Sequence, residues 1–159
     1  MQGPFLSPNA RTLRALTVRC HGGDALEATL AEDALIAVVD DDKAFCDSMQ
    51  RLLRSLGYSV AAFLSAADFL ASPKRSHTAC LVADVQMPAM TGIQLCRHLI
   101  ETGHAIPTIL ITAYPDDGDR DKMRKLGVEC YLRKPLVENE LIGCLRSAFA
   151  RGAAGRAAK

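Results

Sequence analysis

The sequence lacks long apolar runs and an excess of charge, and each absence excludes a class of protein. No stretch approaches the roughly 20 consecutive apolar residues that a membrane-spanning helix needs, so we expect no contact with a membrane. The formal net charge of the 159 residues is +1, whereas a nucleic-acid-binding domain typically carries a strongly basic face. Direct binding of nucleic acid by this chain is therefore not indicated.

The sequence also lacks the cysteine spacing of a metal site. Its cysteines are scattered, with no CxxC pair and no histidine at metal-ligand spacing. Most lie at apolar positions of predicted strands and helices, where a free thiol packs as a small hydrophobic group. The cysteines are Cys20, Cys46, Cys80, Cys96, Cys130 and Cys144. We expect free thiols and a reducing, cytoplasmic location.

Composition and punctuation divide the chain into one domain and two flanking segments. Hydrophobic residues make up 49% of the chain, which suffices for one domain with its own core. Glycine and proline interrupt residues 1–33, and the arginines there have no acidic residue before Asp24. We predict a flexible N-terminal extension over residues 1–33, a folded domain over residues 34–151 and a flexible C-terminal tail over residues 152–159.

Strands alternate with helices from Leu35 onward. After Asp42, which we expect to be a helix cap, apolar residues recur at a 3.6-residue period until Gly57. The predicted strands are Leu35–Val39, Ser59–Phe63, Cys80–Asp84, Thr108–Ile111 and Cys130–Arg133; the later helices are Ala66–Leu70, Gly92 to Gly103, Asp117–Leu126 and Glu138–Arg151. The alternation predicts a (βα)5 fold with a doubly wound parallel sheet of strand order 2-1-3-4-5.

Polar residues stand where the buried strands end. Asp84 follows one aliphatic run, and Asp40 and Asp41 follow another; Thr112 and Lys134 end two more. An aspartate at a strand end can simply cap a turn, and a lone lysine is usually a solvated surface residue. In a parallel sheet, however, the carboxyl ends of all strands share one edge, and that edge binds ligands. We therefore expect these side chains to converge.

The converging residue types favour phosphoryl chemistry at a cation. Close carboxylates need either a proton or a cation between them, and hard oxygen ligands with open positions favour Mg²⁺. A carboxylate beside such an ion, Asp84 above all, can attack phosphorus to give an aspartyl phosphate. Lys134 would place a positive charge, and Thr112 a hydroxyl, on the phosphoryl oxygens.

Four segments in this order resemble the receiver domain of two-component response regulators, the CheY-like family. The segments are Val38–Asp41, Asp84–Gly92, Thr112–Ala113 and Tyr131–Pro135, and the resemblance extends from Leu35 to Arg151. Three segments are similar to the FixJ-like branch, namely Ser59–Phe63, Asp84–Pro88 and Arg133–Pro135. The resemblance implies a flavodoxin-like fold and a protein that is an enzyme only in catalysing its own phosphorylation and dephosphorylation.

The resemblance also implies a role for each site residue. Asp84 would accept a phosphoryl group from a sensor histidine kinase or a phosphotransfer protein. Mg²⁺ would be bound by Asp41, by Asp40 directly or through water, by Asp84 and by the Gln86 carbonyl.

The implied phosphoryl ligands and switch residues lie on the last two strands. Thr112 and Lys134 would bind the phosphoryl oxygens, and the rotamer of Tyr131 would follow Thr112. Pro135 would follow a cis peptide bond. Phosphorylation would then change a surface of the fourth helix, fifth strand and fifth helix, which would contact a second copy or a downstream protein.

Some residues depart from the family pattern, and two other functions stay open. Gln86 and Tyr114 occupy positions that influence how water reaches the phosphoryl group, and Tyr114 could slow dephosphorylation. Val137 replaces a polar helix cap.

The chain could be a stand-alone receiver or part of a longer regulator. One alternative is a pseudo-receiver or constitutive interaction module without phosphotransfer. The other is an Mg²⁺-dependent phosphatase, although Gln86 stands where that enzyme would need a second aspartate.

Overall fold

A computed structural model describes residues 34–157. The elements, in chain order, are β1 (Leu35–Val39), α1 (Lys43–Ser55), β2 (Ser59–Phe63), α2 (Ala66–Ala71), a 3-10 helix (Pro73–His77), β3 (Thr78–Asp84), α3 (Gly92–Glu101), β4 (Thr108–Thr112), α4 (Asp117–Lys125), β5 (Cys130–Arg133) and α5 (Glu138–Ala157). The strands form one parallel sheet in the order β2-β1-β3-β4-β5. The predicted fold and strand order are confirmed.

The sheet is covered on both faces, which explains why its central strands are continuous apolar runs. Alternate residues of β1 point to opposite sides, so Ile36 and Val38 belong to one core and Ala37 and Val39 to the other. Helices α1 and α5 bury the first core, and α2, α3 and α4 bury the second. With all four of these β1 side chains fully buried, the strand is fixed in register.

Local capping sets where the helices begin. The Asp42 side chain accepts hydrogen bonds from the backbone amides of Ala44 at 3.0 Å and Phe45 at 3.3 Å, which confirms the predicted cap of α1. Thr91 and Gln94 form a reciprocal capping box at the start of α3. These caps anchor the helices that follow β1 and β3.

Two segments are more helical than their sequences suggested. Residues 73–77, which lie outside the predicted strands and helices, form the 3-10 helix because Pro73 is preset for a first turn and the Ser72 side chain accepts from the Lys74 amide. Helix α5 runs to Ala157 instead of Arg151, since alanine and arginine favour helix. Much of the predicted flexible tail is thus helical, and the predicted extension over residues 1–33 lies outside the described residues.

The expectation of free thiols is wrong for two cysteines. Cys130 in β5 and Cys144 in α5 form a disulfide, with their Cα atoms 5.8 Å apart. The chain reverses between β5 and α5 and brings the two side chains together, which a separation of 14 residues does not reveal. The free cysteines of the described residues are buried, as expected; they are Cys46, Cys80 and Cys96. Within residues 34–157, no helix has the length and apolarity to cross a membrane.

Candidate phosphoacceptor site

Three carboxylates meet at the carboxyl edge of the sheet. Strands β1 and β3 pair in parallel with Val39 opposite Ala83, so Asp40 and Asp84 leave the sheet side by side. One carboxylate oxygen from each of Asp40, Asp41 and Asp84 lies within 4.8 Å of the others. Asp40 and Asp84 are 1% and 8% exposed, whereas Asp41 is exposed. The predicted convergence of these residues is present.

Lys134 reaches into the same cluster from β5. Its backbone amide donates to the Thr112 carbonyl at 2.8 Å, which fixes the end of β5 against β4. Its Nζ lies 2.8 Å from Asp40 Oδ2 and 3.6 Å from Asp84 Oδ1. The ammonium is therefore shared by two carboxylates but hydrogen-bonded to Asp40.

Phe45 is a site residue that the sequence did not reveal. The Lys134 Nζ lies 4.2 Å from the centroid of its ring, a cation–π contact that holds the ammonium over the cluster. The helical period of α1 marked Phe45 only as an apolar position. Its place in the first turn after Asp42 was the available signal, because that turn faces the strand ends.

The backbone around Asp40 fixes the orientation of its carboxylate. Asp40 Oδ1 accepts from the Asp42 amide at 2.9 Å, which leaves Oδ2 for Lys134. The Cys46 thiol donates to the Asp40 carbonyl at 3.3 Å. Burial, and secondarily the Asp40 charge, raises the pKa of Cys46 to about 11, so this sulfur stays a thiol next to the acidic cluster.

Burial and neighbouring charges shift the pKa values of Asp84 and Lys134. Burial, followed by the charge of Asp40, raises the pKa of Asp84, and Lys134 only partly offsets both. Burial alone would lower the pKa of Lys134, but the hydrogen bond and charge of Asp40, with the charge of Asp84, raise it. With three carboxylates around one ammonium, the cluster offers hard oxygen ligands in a negative field. These residues fit a divalent cation such as Mg²⁺.

Thr112 is fully buried at the end of β4. In the register of β3 and β4, Asp84 lies opposite Ile111, which places Thr112 one residue beyond the partner of Asp84. Its Oγ1 accepts from the Tyr114 amide at 3.1 Å, so the hydroxyl hydrogen can still be donated. The Tyr114 ring itself is 73% exposed and does not form part of the buried site.

Tyr131 lies on the side of the sheet that α2, α3 and α4 cover. It is partly buried against the core of α2, α3 and α4, and its hydroxyl accepts from the Asp116 amide at 3.4 Å. It lines a cleft of about 330 Å³ together with Arg120, Arg133 and Glu140. Tyr131 therefore connects this core with the start of α4.

Gln86, Pro135 and Gly92 belong to the backbone segments beside the site. Gln86 is exposed in the loop after β3. The Lys134–Pro135 peptide bond is cis, as predicted. Gly92 is pressed against Asp84, because a Cβ added there would collide with the Asp84 carbonyl oxygen and lie 3.0 Å from a Leu110 methyl group.

The comparisons with known proteins agree with this geometry. The family model of the response regulator receiver domain matches residues 36–146. Response regulator protein TodT of Pseudomonas putida is 40% identical over 116 residues, which cover 73% of this chain and 51% of TodT. The chain belongs to the receiver domain family of two-component response regulators. It spans about half the length of the curated relatives it matches.

Solved structures lead to the same family. The response regulator StyR superimposes with a TM-score of 0.74 at 33% identity, covering 79% of this chain and 64% of StyR. The structure of FixJ-N gives a TM-score of 0.67 at 30% identity, covering 74% and 94% of the two chains. The predicted likeness to the FixJ branch is confirmed. Receiver domains bind Mg²⁺ at an acidic pocket and interact with histidine kinases.

Proposed function

We propose that Asp84 of this chain accepts a phosphoryl group from the phosphohistidine of a sensor kinase or a phosphotransfer protein. The observation that carries the proposal is the meeting of Asp40, Asp41 and Asp84 with Lys134 at one sheet edge. An Asp84 oxygen forms the new O–P bond, the P–N bond to histidine breaks, and the imidazole leaves with a proton from solvent. Phosphoryl transfer needs mainly positioning and charge neutralisation.

Each neighbouring residue then has a defined task. Asp40, Asp41, Asp84 and the Gln86 carbonyl would hold Mg²⁺, which supplies positive charge to the phosphoryl oxygens when bound. Lys134, already 3.6 Å from Asp84 Oδ1, would bind one phosphoryl oxygen, and the Thr112 hydroxyl another. Burial, followed by the charge of Asp40, raises the pKa of Asp84, and the excess negative charge disfavours transfer until the cation is present.

The output would follow from Thr112. Its hydroxyl would move toward the phosphoryl group, Tyr131 would change rotamer, and the surface of α4, β5 and α5 would change its affinity for a second copy or a downstream protein. We further propose that the chain is a cytoplasmic regulator whose receiver unit comprises residues 34–151. The family model, over residues 36–146, falls inside that range.

Phosphorylation by acetyl phosphate with Mg²⁺, followed by peptide mass spectrometry, tests the proposal. We expect an adduct on the peptide that contains Asp84 in the wild type, and none there in Asp84→Asn. Asp41→Asn should label far more slowly. Asp42→Asn is the matched control, since asparagine still caps α1 and Asp42 lies outside the cluster; it should label like the wild type.

Three results would contradict the assignment. Labelling of the same peptide in Asp84→Asn would place the acceptor elsewhere. An unlabelled but folded wild type would indicate a pseudo-receiver. Continuous release of phosphate without an accumulating adduct would indicate a phosphatase.

A further inference from the structure

The disulfide between Cys130 and Cys144 joins α5 to the end of β5 that lies away from the phosphoacceptor. Cys130 begins β5, and Cys144 lies on the side of α5 that faces the sheet. Their Cα atoms are 5.8 Å apart, within the range that a disulfide spans without backbone movement. The loop that the bond closes contains both Tyr131 and Lys134.

The other cysteines of the described chain are poor competitors for exchange. Cys46, Cys80 and Cys96 are all buried. Burial raises the pKa of Cys80 to about 12 and that of Cys46 to about 11, and it also raises the pKa of Cys96. Because the thiolate is the reactive form, thiol chemistry in residues 34–157 is directed to the pair.

The two paired cysteines differ in accessibility. Cys144, on the side of α5 that faces the sheet, is 8% exposed. Cys130, at the start of β5, is only partly buried. A small disulfide molecule therefore reaches Cys130 first. Cys144 is then close enough to attack the sulfur of Cys130 and complete the exchange.

We propose that Cys130 and Cys144 are a reversible thiol–disulfide site that exchanges with low-molecular-weight disulfides of the glutathione class. The Cys130 thiolate attacks one sulfur of oxidised glutathione, forms a mixed disulfide and releases one glutathione thiolate. Cys144 then attacks the Cys130 sulfur and releases the second. The protein loses two electrons and two protons, and one oxidised glutathione becomes two reduced molecules.

The bond would control how freely β5 and α5 move relative to each other. When oxidised, it ties the segment with Tyr131 and Lys134 to α5; when reduced, only packing holds them. Amide hydrogens of residues 130–144 should therefore exchange more slowly in the oxidised protein. The site goes beyond the proposed phosphotransfer and does not depend on it.

The test uses the full chain with Cys20→Ser, equilibrated in glutathione buffers from fully reduced to fully oxidised. Alkylation of free thiols and peptide mapping then report each cysteine. We expect the Cys130–Cys144 bond to form and to be lost again as the buffer is reduced, while Cys46, Cys80 and Cys96 stay reduced. A pair that never joins overturns the proposal, and so does a bond that persists in the fully reduced buffer.

Single variants test the order of attack. Cys144→Ser should trap glutathione on Cys130, whereas Cys130→Ser should trap at least about tenfold less on Cys144. Cys96→Ser is the control and should leave exchange at the pair unchanged. Equal trapping in the two variants, or glutathione on Cys80 or Cys96 of the parent protein, would contradict the proposed selectivity. The parent measurement stands even if a variant folds poorly.

Discussion

The carboxylates at the two edges of the sheet differ in how their charge is balanced. At the carboxyl edge, Asp40, Asp41 and Asp84 surround a single ammonium, that of Lys134. At the amino edge, Glu129 precedes β5 with its side chain 10% exposed. Its Oε2 lies 3.3 Å from Arg151 Nε, close enough for an ion pair although the atoms are not aligned for a hydrogen bond.

The difference separates a structural ion pair from a site. At the amino edge one carboxylate meets one guanidinium, so the charges cancel and the pair connects β5 with α5. At the carboxyl edge, burial and then the excess negative charge raise the pKa of Asp84, so the ionised cluster has an electrostatic cost. Carboxylates with shifted pKa values in a cluster mark a candidate functional site, which agrees with the proposed binding of a cation and a phosphoryl group at this edge.

The largest effect on phosphorylation is expected when the cation of the carboxyl edge is removed. Removing the cation of the amino edge is the control. Lys134→Met should slow phosphorylation by acetyl phosphate about 100-fold, because one charged ligand of the phosphoryl oxygens is lost. Arg151→Met removes a comparable charge from the amino edge and should stay within about twofold of the wild type. Initial labelling rates at saturating Mg²⁺ measure both. Equal rates in the two variants would remove the distinction between the edges.

The pH dependence of stability should expose the charge imbalance. Because the folded protein holds the Asp84 proton more tightly than the unfolded chain does, Asp84 favours folding below its ordinary pKa of 3.8. That contribution is lost as the pH rises through the raised value. Asp84→Asn should therefore be more stable than the wild type at pH values above this window, and the advantage should shrink toward acid pH.

Denaturant unfolding without divalent cations measures this difference. Asp42→Asn is unfolded in parallel to correct for the loss of any one carboxylate. Added Mg²⁺ should reduce the advantage of Asp84→Asn, because the cation neutralises the wild-type cluster. A wild type more stable than Asp84→Asn at neutral pH would contradict the electrostatic argument.

The uncapped start of α5 is a smaller cost at the carboxyl edge. Val137 is 54% exposed, and its carbonyl accepts from the amides of Glu140 and Leu141, but its side chain cannot accept from the first turn. Val137→Ser should raise the free energy of unfolding by about 1 kcal/mol. Equilibrium unfolding measures the gain. Val137→Ala is the control, and an equal gain there would show that capping is not the cause.

Tyr114 should have the smallest effect. Its ring is 73% exposed, so it shields the phosphoryl group only when it folds over the site. In Tyr114→Ala the phosphorylated lifetime should shorten by no more than about threefold, whereas Tyr114→Phe should keep the wild-type lifetime. Decay of the adduct after removal of acetyl phosphate measures both. An unchanged lifetime in the alanine variant would exclude shielding.

The features that could be predicted from the sequence are those with local signals. Aliphatic runs marked the buried strands, the alternation with helices gave the sheet order, and Asp42 stood where a cap belongs. Asp40, Asp84 and Lys134 could be assigned to one edge because parallel strands end together.

The remaining features depend on tertiary distances. No local signal shows that Lys134 bonds Asp40 at 2.8 Å and stays 3.6 Å from Asp84, or that Phe45 lies beneath its ammonium. The pairing of Cys130 with Cys144 depends on how the chain reverses after β5. Each is set by the packing of one element on another, which sequence patterns do not encode residue by residue.

The glycine at position 92 has a consequence for how this sequence can vary. Even a single methyl group there would push on the carbonyl of Asp84, so any residue other than glycine encoded by this codon would displace the aspartate eight residues upstream. In a library randomised at this codon and sorted for acetyl phosphate labelling, glycine should be the residue that survives.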